Sequence, residues 1–291
     1  MKQLSFILLL LLLSLNIACA QQEAKTSDGK TVILYSDFTW AYKDSISSYK
    51  LRSIANLELP KTKPTDTIIS HSGFSFIYNE KHEQAGWVAY FLTKERALKG
   101  TERTNNFKPD PKVSTLTAND KDYAASGYDR GHLAPAGDMT WSPEAMAESF
   151  YYSNMSPQEP SFNRGIWKKL EDQVRTWATQ YDSIYIVTGP ILEDGLPTIG
   201  ANEVSIPNKY FKAILRYSSN NVNGIGFVLP NKSSSESLKN FVLPIDSLEV
   251  LTGIDFFYLL PDNIEHNLEK YVSLESWSWK GDKTEKVKEL K

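Results

Sequence analysis

The chain has 291 residues, of which 41% are apolar, 12% aromatic and 23% charged, and its formal net charge is −3. These values exclude wholesale disorder and supply enough apolar material for one large globular domain, or a domain with a small appendage. They also exclude a surface coated in positive charge. A local basic groove stays open, because phosphate contacts depend on where the cations sit.

In chain order, Lys2 precedes an almost unbroken apolar run from Leu4 to Ile17, which ends in Ala18-Cys19-Ala20. A positive start, a core too short to span a bilayer comfortably and an A-x-A end read as a secretory signal peptide over residues 1–20. The expected location is therefore the periplasm or the exterior. Polar Gln21, Gln22, Glu23 and Lys25 follow at once and argue against an uncleaved span. Lipidation of Cys19 is the alternative and would anchor the protein to a membrane; Asn16, polar where such sites carry an aliphatic residue, weighs against it. With Cys19 the only cysteine, disulfides, thiolate catalysis and cysteine zinc sites are all excluded.

Residues 21–66 read as an N-terminal extension. It comprises a polar lead-in to residue 30, a hairpin of Thr31–Tyr35 and Phe38–Tyr42 about Ser36-Asp37, and a linker over 44–66 marked by Pro60 and Pro64. The main domain is expected over 67–280. Phe74–Tyr78 and Trp87–Leu92 carry strand patterning, and 99–127 is a long aperiodic loop. Ser142-Pro143 predicts a helix start. Ile166, Trp167, Leu170, Val174 and Trp177 keep one face of a helix over 163–180. Ile184–Thr188, Tyr210–Tyr217 and Ile225–Leu229 read as strands and Ser247–Gly253 as a short helix, with a charged tail over 281–291. The order of elements predicts an α+β class with a mixed, mainly antiparallel sheet.

Three stretches carry chemistry: Arg103-Thr104 in the long loop, Asp129-Arg130-Gly131-His132, and a block from Asn154 through Gln158 and Asn163 to Glu171. Phosphodiester hydrolysis needs a base for the attacking water, which a neutral histidine supplies near neutral pH. It needs a hard cation against charge growing on the phosphoryl oxygens, and arginines to fork onto the phosphate. On a strand, Arg130 and His132 share a face, and the glycine between them permits close approach of backbone or substrate. Asn163 offers a neutral oxygen suited to a hard ion that keeps most of its water. Glu171 lies about 12 Å further along a regular helix and roughly 80° around it. Asn163 as the inner ligand, with Glu171 acting through coordinated water, is the arrangement that geometry permits. Each residue alone also has a bland reading: Asn163 as a helix cap, Glu171 as a solvated helix residue, Arg103 as a surface charge. His71, His82 and His266 read as ordinary histidines.

Taken together, these stretches resemble the DNA/RNA non-specific endonucleases. Asp129-Arg130-Gly131-His132 is similar to that family's signature tetrapeptide. Asn154, Gln158, Asn163 and Glu171 are similar to its second block in both type and spacing. Arg103 with Thr104 resembles its upstream arginine segment. Ile206-Pro207, Tyr210-Phe211-Lys212, Asp255-Phe256-Phe257 and Leu260-Pro261 resemble its later structural segments. The resemblance spans about residues 68–275.

It implies a ββα-metal (His-Me) finger embedded in the sheet and a Mg²⁺-dependent endonuclease acting on DNA and/or RNA with little sequence preference, Mn²⁺ being a candidate substitute; export is the leader's own implication. It further implies His132 as general base, Asn163 as sole direct protein ligand of the metal, and Glu171 as the residue that positions the metal's waters. Arg103 would stabilise the transition state and leaving group, and Arg130 and Asn154 would support substrate or His132. Two alternatives are an inactive nucleic-acid-binding relative and a phosphodiesterase for a specialised small substrate. A serine hydrolase or zinc peptidase is disfavoured, because neither G-x-S-x-G nor H-E-x-x-H occurs.

Overall fold

The computed structural model describes residues 22–34, 40–42, 54–98, 100–218 and 221–280. The chain divides into two compact units, Met1–Arg52 and Ser53–Lys291. The expected leader with Cys19, the Ser36-Asp37 turn and the 281–291 tail lie outside the described residues.

In the first unit, strands β1 (Gln22–Lys25), β2 (Thr31–Leu34) and β3 (Trp40–Tyr42) form an antiparallel sheet in that order. The expected hairpin is present as β2–β3, with Val32 opposite Tyr42 and Leu34 opposite Trp40. β1 corrects the expectation of a mobile lead-in. Gly29, at φ +84°, closes a tight turn in which the Thr26 amide donates to the Lys30 carbonyl at 2.9 Å. Backbone pairing of this kind places no demand on side-chain polarity, so a polar strand leaves little signal in its sequence.

The second unit begins earlier than residue 67. Leu57 is fully buried and the Lys61 amide donates to the Asp255 carbonyl, so the described part of the expected linker belongs to this unit. Two prolines in a polar stretch hid one apolar anchor.

The unit is built on a seven-stranded sheet. Its strands, in chain order, are β4 (Ile68–Ser70), β5 (Ser75–Asn79), β6 (Gln84–Thr93), β9 (Ser183–Pro190), β12 (Lys209–Ser218), β13 (Asn221–Pro230) and β14 (Val242–Leu243). They run β14-β13-β12-β9-β6-β5-β4 across the sheet, each antiparallel to its neighbours. Two further ladders stand apart: β7 (Asp129–His132) with β8 (Met155–Gln158), and β10 (Thr198–Ile199) with β11 (Val204–Ser205).

The helices are α1 (Lys94–Leu98), α2 (Asp120–Tyr123), α3 (Pro143–Glu148), α4 (Lys168–Tyr181), α5 (Ile245–Thr252) and α6 (Asp262–Lys270). As expected, Ser142 caps α3, its hydroxyl accepting from the Glu144 and Ala145 amides. Gly253, in the left-handed region, ends α5. α2 is only four residues long, and α6 carries just two apolar residues, Ile264 and Leu268, so neither stands out in the sequence. Among the described residues no helix is long and apolar enough to cross a membrane.

Both faces of the sheet are covered, as β12 makes plain. Tyr210 packs against Phe162 and Trp167, with ring centroids 5.4 and 5.7 Å away, whereas Phe211 faces Phe256 at 5.7 Å. Alternation along a strand therefore puts Tyr210, Lys212 and Ile214 on the α4 side. The expected helix face is buried throughout: Ile166, Trp167, Leu170, Val174 and Trp177 are each at most 1% exposed. Trp277 and Trp279 close the core over Trp177, whose Nε1 donates to the Ser278 carbonyl.

Candidate active site

The expected ββα unit is present: β7 pairs with β8, and the chain then enters the helical segment that ends in α4. His132 opposes Met155 and Arg130 opposes Pro157, which puts the two functional side chains on one face. Gly131 has a tighter reason than substrate access. A Cβ there would lie 2.2 Å from the buried Gln158 side chain, so only glycine lets β7 lie against it.

The His132 ring stands edge-on to Phe150, with centroids 4.9 Å apart at 88°, and 5.9 Å from Phe107. Its Nε2 is buried and has no hydrogen-bond partner. Burial, joined by the charges of Arg103 and Arg130, drives its pKa down to about 3. The imidazole is therefore neutral at physiological pH, with a nitrogen free to accept a proton.

Arg103 donates from Nε to Asn105 Oδ1 at 2.6 Å, and its guanidinium lies 5.0 Å from the Phe150 ring centre. Arg130 sits 4.0 Å above the Phe107 ring and donates to Asp120 Oδ1. Both arginines, with Phe107, Tyr128, Asn163 and Arg164, line a cleft of about 490 Å³. His132 and Glu171 are not in its wall; His132 contacts Phe107, which is.

Asn163 does not start the helix as an N-cap. The helical segment opens earlier, at Pro160–Phe162, where Glu159 caps it by accepting from the Phe162 amide at 2.8 Å. Asn163–Trp167 then form a π turn with Gly165 at φ −105°, ψ −109° before α4 begins. This corrects the 12 Å and 80° relation between Asn163 and Glu171, which presumed a straight α-helix; π turns recur at functional sites. The Asn163 amide nitrogen donates to Asp129 Oδ2 at 2.9 Å, while Asp129 also takes both forks of Arg164. With the nitrogen engaged, Oδ1 is the free end of the side chain at the cleft.

Asn154, expected at substrate or His132, cannot touch substrate: it is fully buried and bonded only to backbone. Its Oδ1 accepts from the Ala134 amide at 2.8 Å, and its Nδ2 donates to the Ala134 and Ser149 carbonyls at 2.9 and 2.8 Å. Asn154 clamps the chain two residues beyond His132, a positioning role.

Glu171 is no solvated helix residue. It lies in the first turn of α4 within a charged cluster of Lys212, Asp138 and Arg175. Asp138 accepts from Tyr90 Oη at 2.7 Å and from Arg175 at 2.6 Å, and fully buried Lys212 donates to Thr188 Oγ1 at 3.0 Å. Burial raises the Glu171 pKa, opposed by Lys212; burial lowers that of Lys212, opposed by Glu171.

The supporting residues Asp120, Asp138 and Arg175 left no mark in the sequence, and Asp129 and Lys212 sat inside quoted motifs without a role. His71 and His82 are structural. His71 bridges Asp110 at 2.7 Å and Glu148 at 3.3 Å, and buried His82 bonds Ser205.

Comparison with known proteins gives the family. The profile described as DNA/RNA non-specific endonuclease matches residues 56–263. A mitochondrial nuclease EXOG of Danio rerio is 35% identical over 71% of this chain, which spans 64% of that protein's length. Human mitochondrial endonuclease G is 34% identical, covering 64% of this chain and 68% of its own length. A nuclease of Nostoc is 32% identical, covering 73% and 81%. The solved EndoG/EndoGI complex contains a chain that superposes with a TM-score of 0.64 at 32% identity, over 70% of this chain and 89% of that one. This chain belongs to the DNA/RNA non-specific endonuclease family, whose relatives named here are nucleic-acid-hydrolysing enzymes.

Proposed function

We propose that this protein is an endonuclease that hydrolyses phosphodiester bonds of DNA and/or RNA with a divalent cation, Mg²⁺ with Mn²⁺ as a candidate substitute, and with His132 as general base. The observation that carries this reading is the pairing of a neutral His132, its Nε2 unpartnered, with an arginine-lined cleft that presents Asn163. The donor set fits a hard ion: Asn163 offers an uncharged oxygen, and Asp129 holds its nitrogen away. When bound there, the ion would neutralise charge on the phosphoryl and leaving oxygens.

The protein's own groups supply the rest. Arg103 and Arg130 hold the phosphate by charge-assisted hydrogen bonds. His132 takes the proton of the attacking water at Nε2. Asn154 and Phe150 fix the imidazole, and the buried cluster around Glu171 sets that carboxylate's orientation and charge. We also propose export to the periplasm or the exterior on the strength of the 1–20 leader, with anchoring through a lipidated Cys19 as the competing form.

The deciding experiment digests plasmid DNA, single-stranded DNA and RNA with Mg²⁺ or a chelator, using folded His132→Ala as control. Turnover should fall at least ~100-fold in that variant, the scale of general-base loss. Near-normal cleavage by it would sink the mechanism.

A further inference from the structure

Far along the chain from the residues of the cleft, three carboxylates converge. Asp246 and Glu249 lie three residues apart on α5 and so share one face; Glu269 comes from the last turn of α6. One carboxylate oxygen from each lies within 4.8 Å of those of the other two. Glu269 is only 6% exposed, and its Oε1 is buried with no hydrogen-bond partner. Glu249 spends one oxygen, Oε1, on the Phe256 amide at 2.7 Å, which locks that side chain in place.

A buried, orphaned carboxylate oxygen beside two further carboxylates is costly unless something positive completes the group. We propose that Asp246, Glu249 and Glu269 bind a divalent cation of calcium size that ties α5 to α6, separate from the catalytic ion. Two oxygens on one cation lie at most two bond lengths apart, about 4.6–5.2 Å for Ca²⁺, and the three oxygens here, all within 4.8 Å of one another, are compatible with that reach. Carboxylates alone, with water completing the shell, are also the donors this hard ion takes.

The surrounding charge agrees. Asp255 and Glu265 add further negative charge around the three carboxylates. Both helices pack on β13, so the ion would brace that edge of the sheet rather than enter the reaction.

The test is calorimetric titration of the full-length, chelator-treated protein with CaCl₂, paired with thermal melts, in wild type, Asn163→Ala, Glu269→Gln and Asp246→Asn. The expected result is one Ca²⁺ per chain that persists in Asn163→Ala, with Tm raised by Ca²⁺ in both of these proteins. Affinity should weaken at least ~10-fold in Glu269→Gln and Asp246→Asn, with the Tm gain lost. Asp246→Asn decides alone if Glu269→Gln does not fold. Unchanged Ca²⁺ binding in the folded variants, or no binding by wild type at millimolar Ca²⁺, overturns the proposal and leaves a cluster neutralised by protons. Because Asn163→Ala removes the cleft's own donor, failure here and failure of the nuclease reading give different results.

Discussion

His132 shows how a packed environment selects a protonation state. In an unfolded chain its imidazole takes a proton near pH 6.5, but in the fold only near 3, because burial and two arginines oppose the charge. Between those values the unfolded state binds more protons, so stability falls as pH drops from about 6.5 towards 3. In chelator, a His132→Phe variant should lose part of this acid slope while keeping its stability near pH 8. Identical pH–stability curves for the two proteins would show that the imidazole is not held neutral. Asn154 makes the complementary case, a polar residue whose worth lies in backbone bonds. Asn154→Ala leaves the buried Ala134 amide and two carbonyls without partners, at about 1–3 kcal/mol for each unsatisfied group. Turnover should drop with the loosened His132 while KM stays near wild type. A KM rise with unchanged kcat would instead assign Asn154 to substrate.

At the scale of elements, the π turn of Asn163–Trp167 decides how two functional residues relate. It breaks α-helical phase between Asn163, at the cleft, and Glu171, in the charged cluster on the sheet side of α4. The two variants should therefore fail differently. Asn163→Ala removes the proposed ligand, and raising Mg²⁺ should restore little activity. Glu171→Gln keeps the shape but removes charge, so apparent metal affinity should fall by roughly 10–100-fold and much turnover should return at high Mg²⁺. Melting should also separate them, since Glu171→Gln leaves buried Lys212 short of a counter-charge. A Mg²⁺ titration in which Glu171→Gln stays inactive and Asn163→Ala recovers would reverse the two roles.

For the molecule as a whole, the charge is −3, so attraction to nucleic acid must come from a local concentration of cations. At the cleft, Arg130 and Arg164 are paired with Asp120 and Asp129, so Arg103, which has no carboxylate partner among the described residues, leaves the lining with one net positive charge for phosphate contacts. Contacts of this kind displace counterions from the substrate, so KM for DNA should rise steeply between about 50 and 200 mM salt. Measured KM that stays flat over this range would favour a small substrate over a polynucleotide.

The sequence by itself determined the family and the α+β class and singled out Arg103, Arg130, His132, Asn163 and Glu171 as candidates, because these lie in short motifs whose types and spacings are local properties of the chain. Helix faces and most strands were legible for the same reason: periodicity records which side is buried. Tertiary structure alone decided what surrounds those residues. Lys212, Asp138 and Arg175 meet Glu171 only once β12, the segment after β7 and α4 are packed together, and no local pattern marks that meeting. It also decided that Asn154 is a buried clamp, that Gly131 yields to Gln158, and that β1 pairs and residues 54–66 pack. Burial, pKa shifts and backbone pairing are properties of neighbours distant in sequence, and they exist only after the chain has folded.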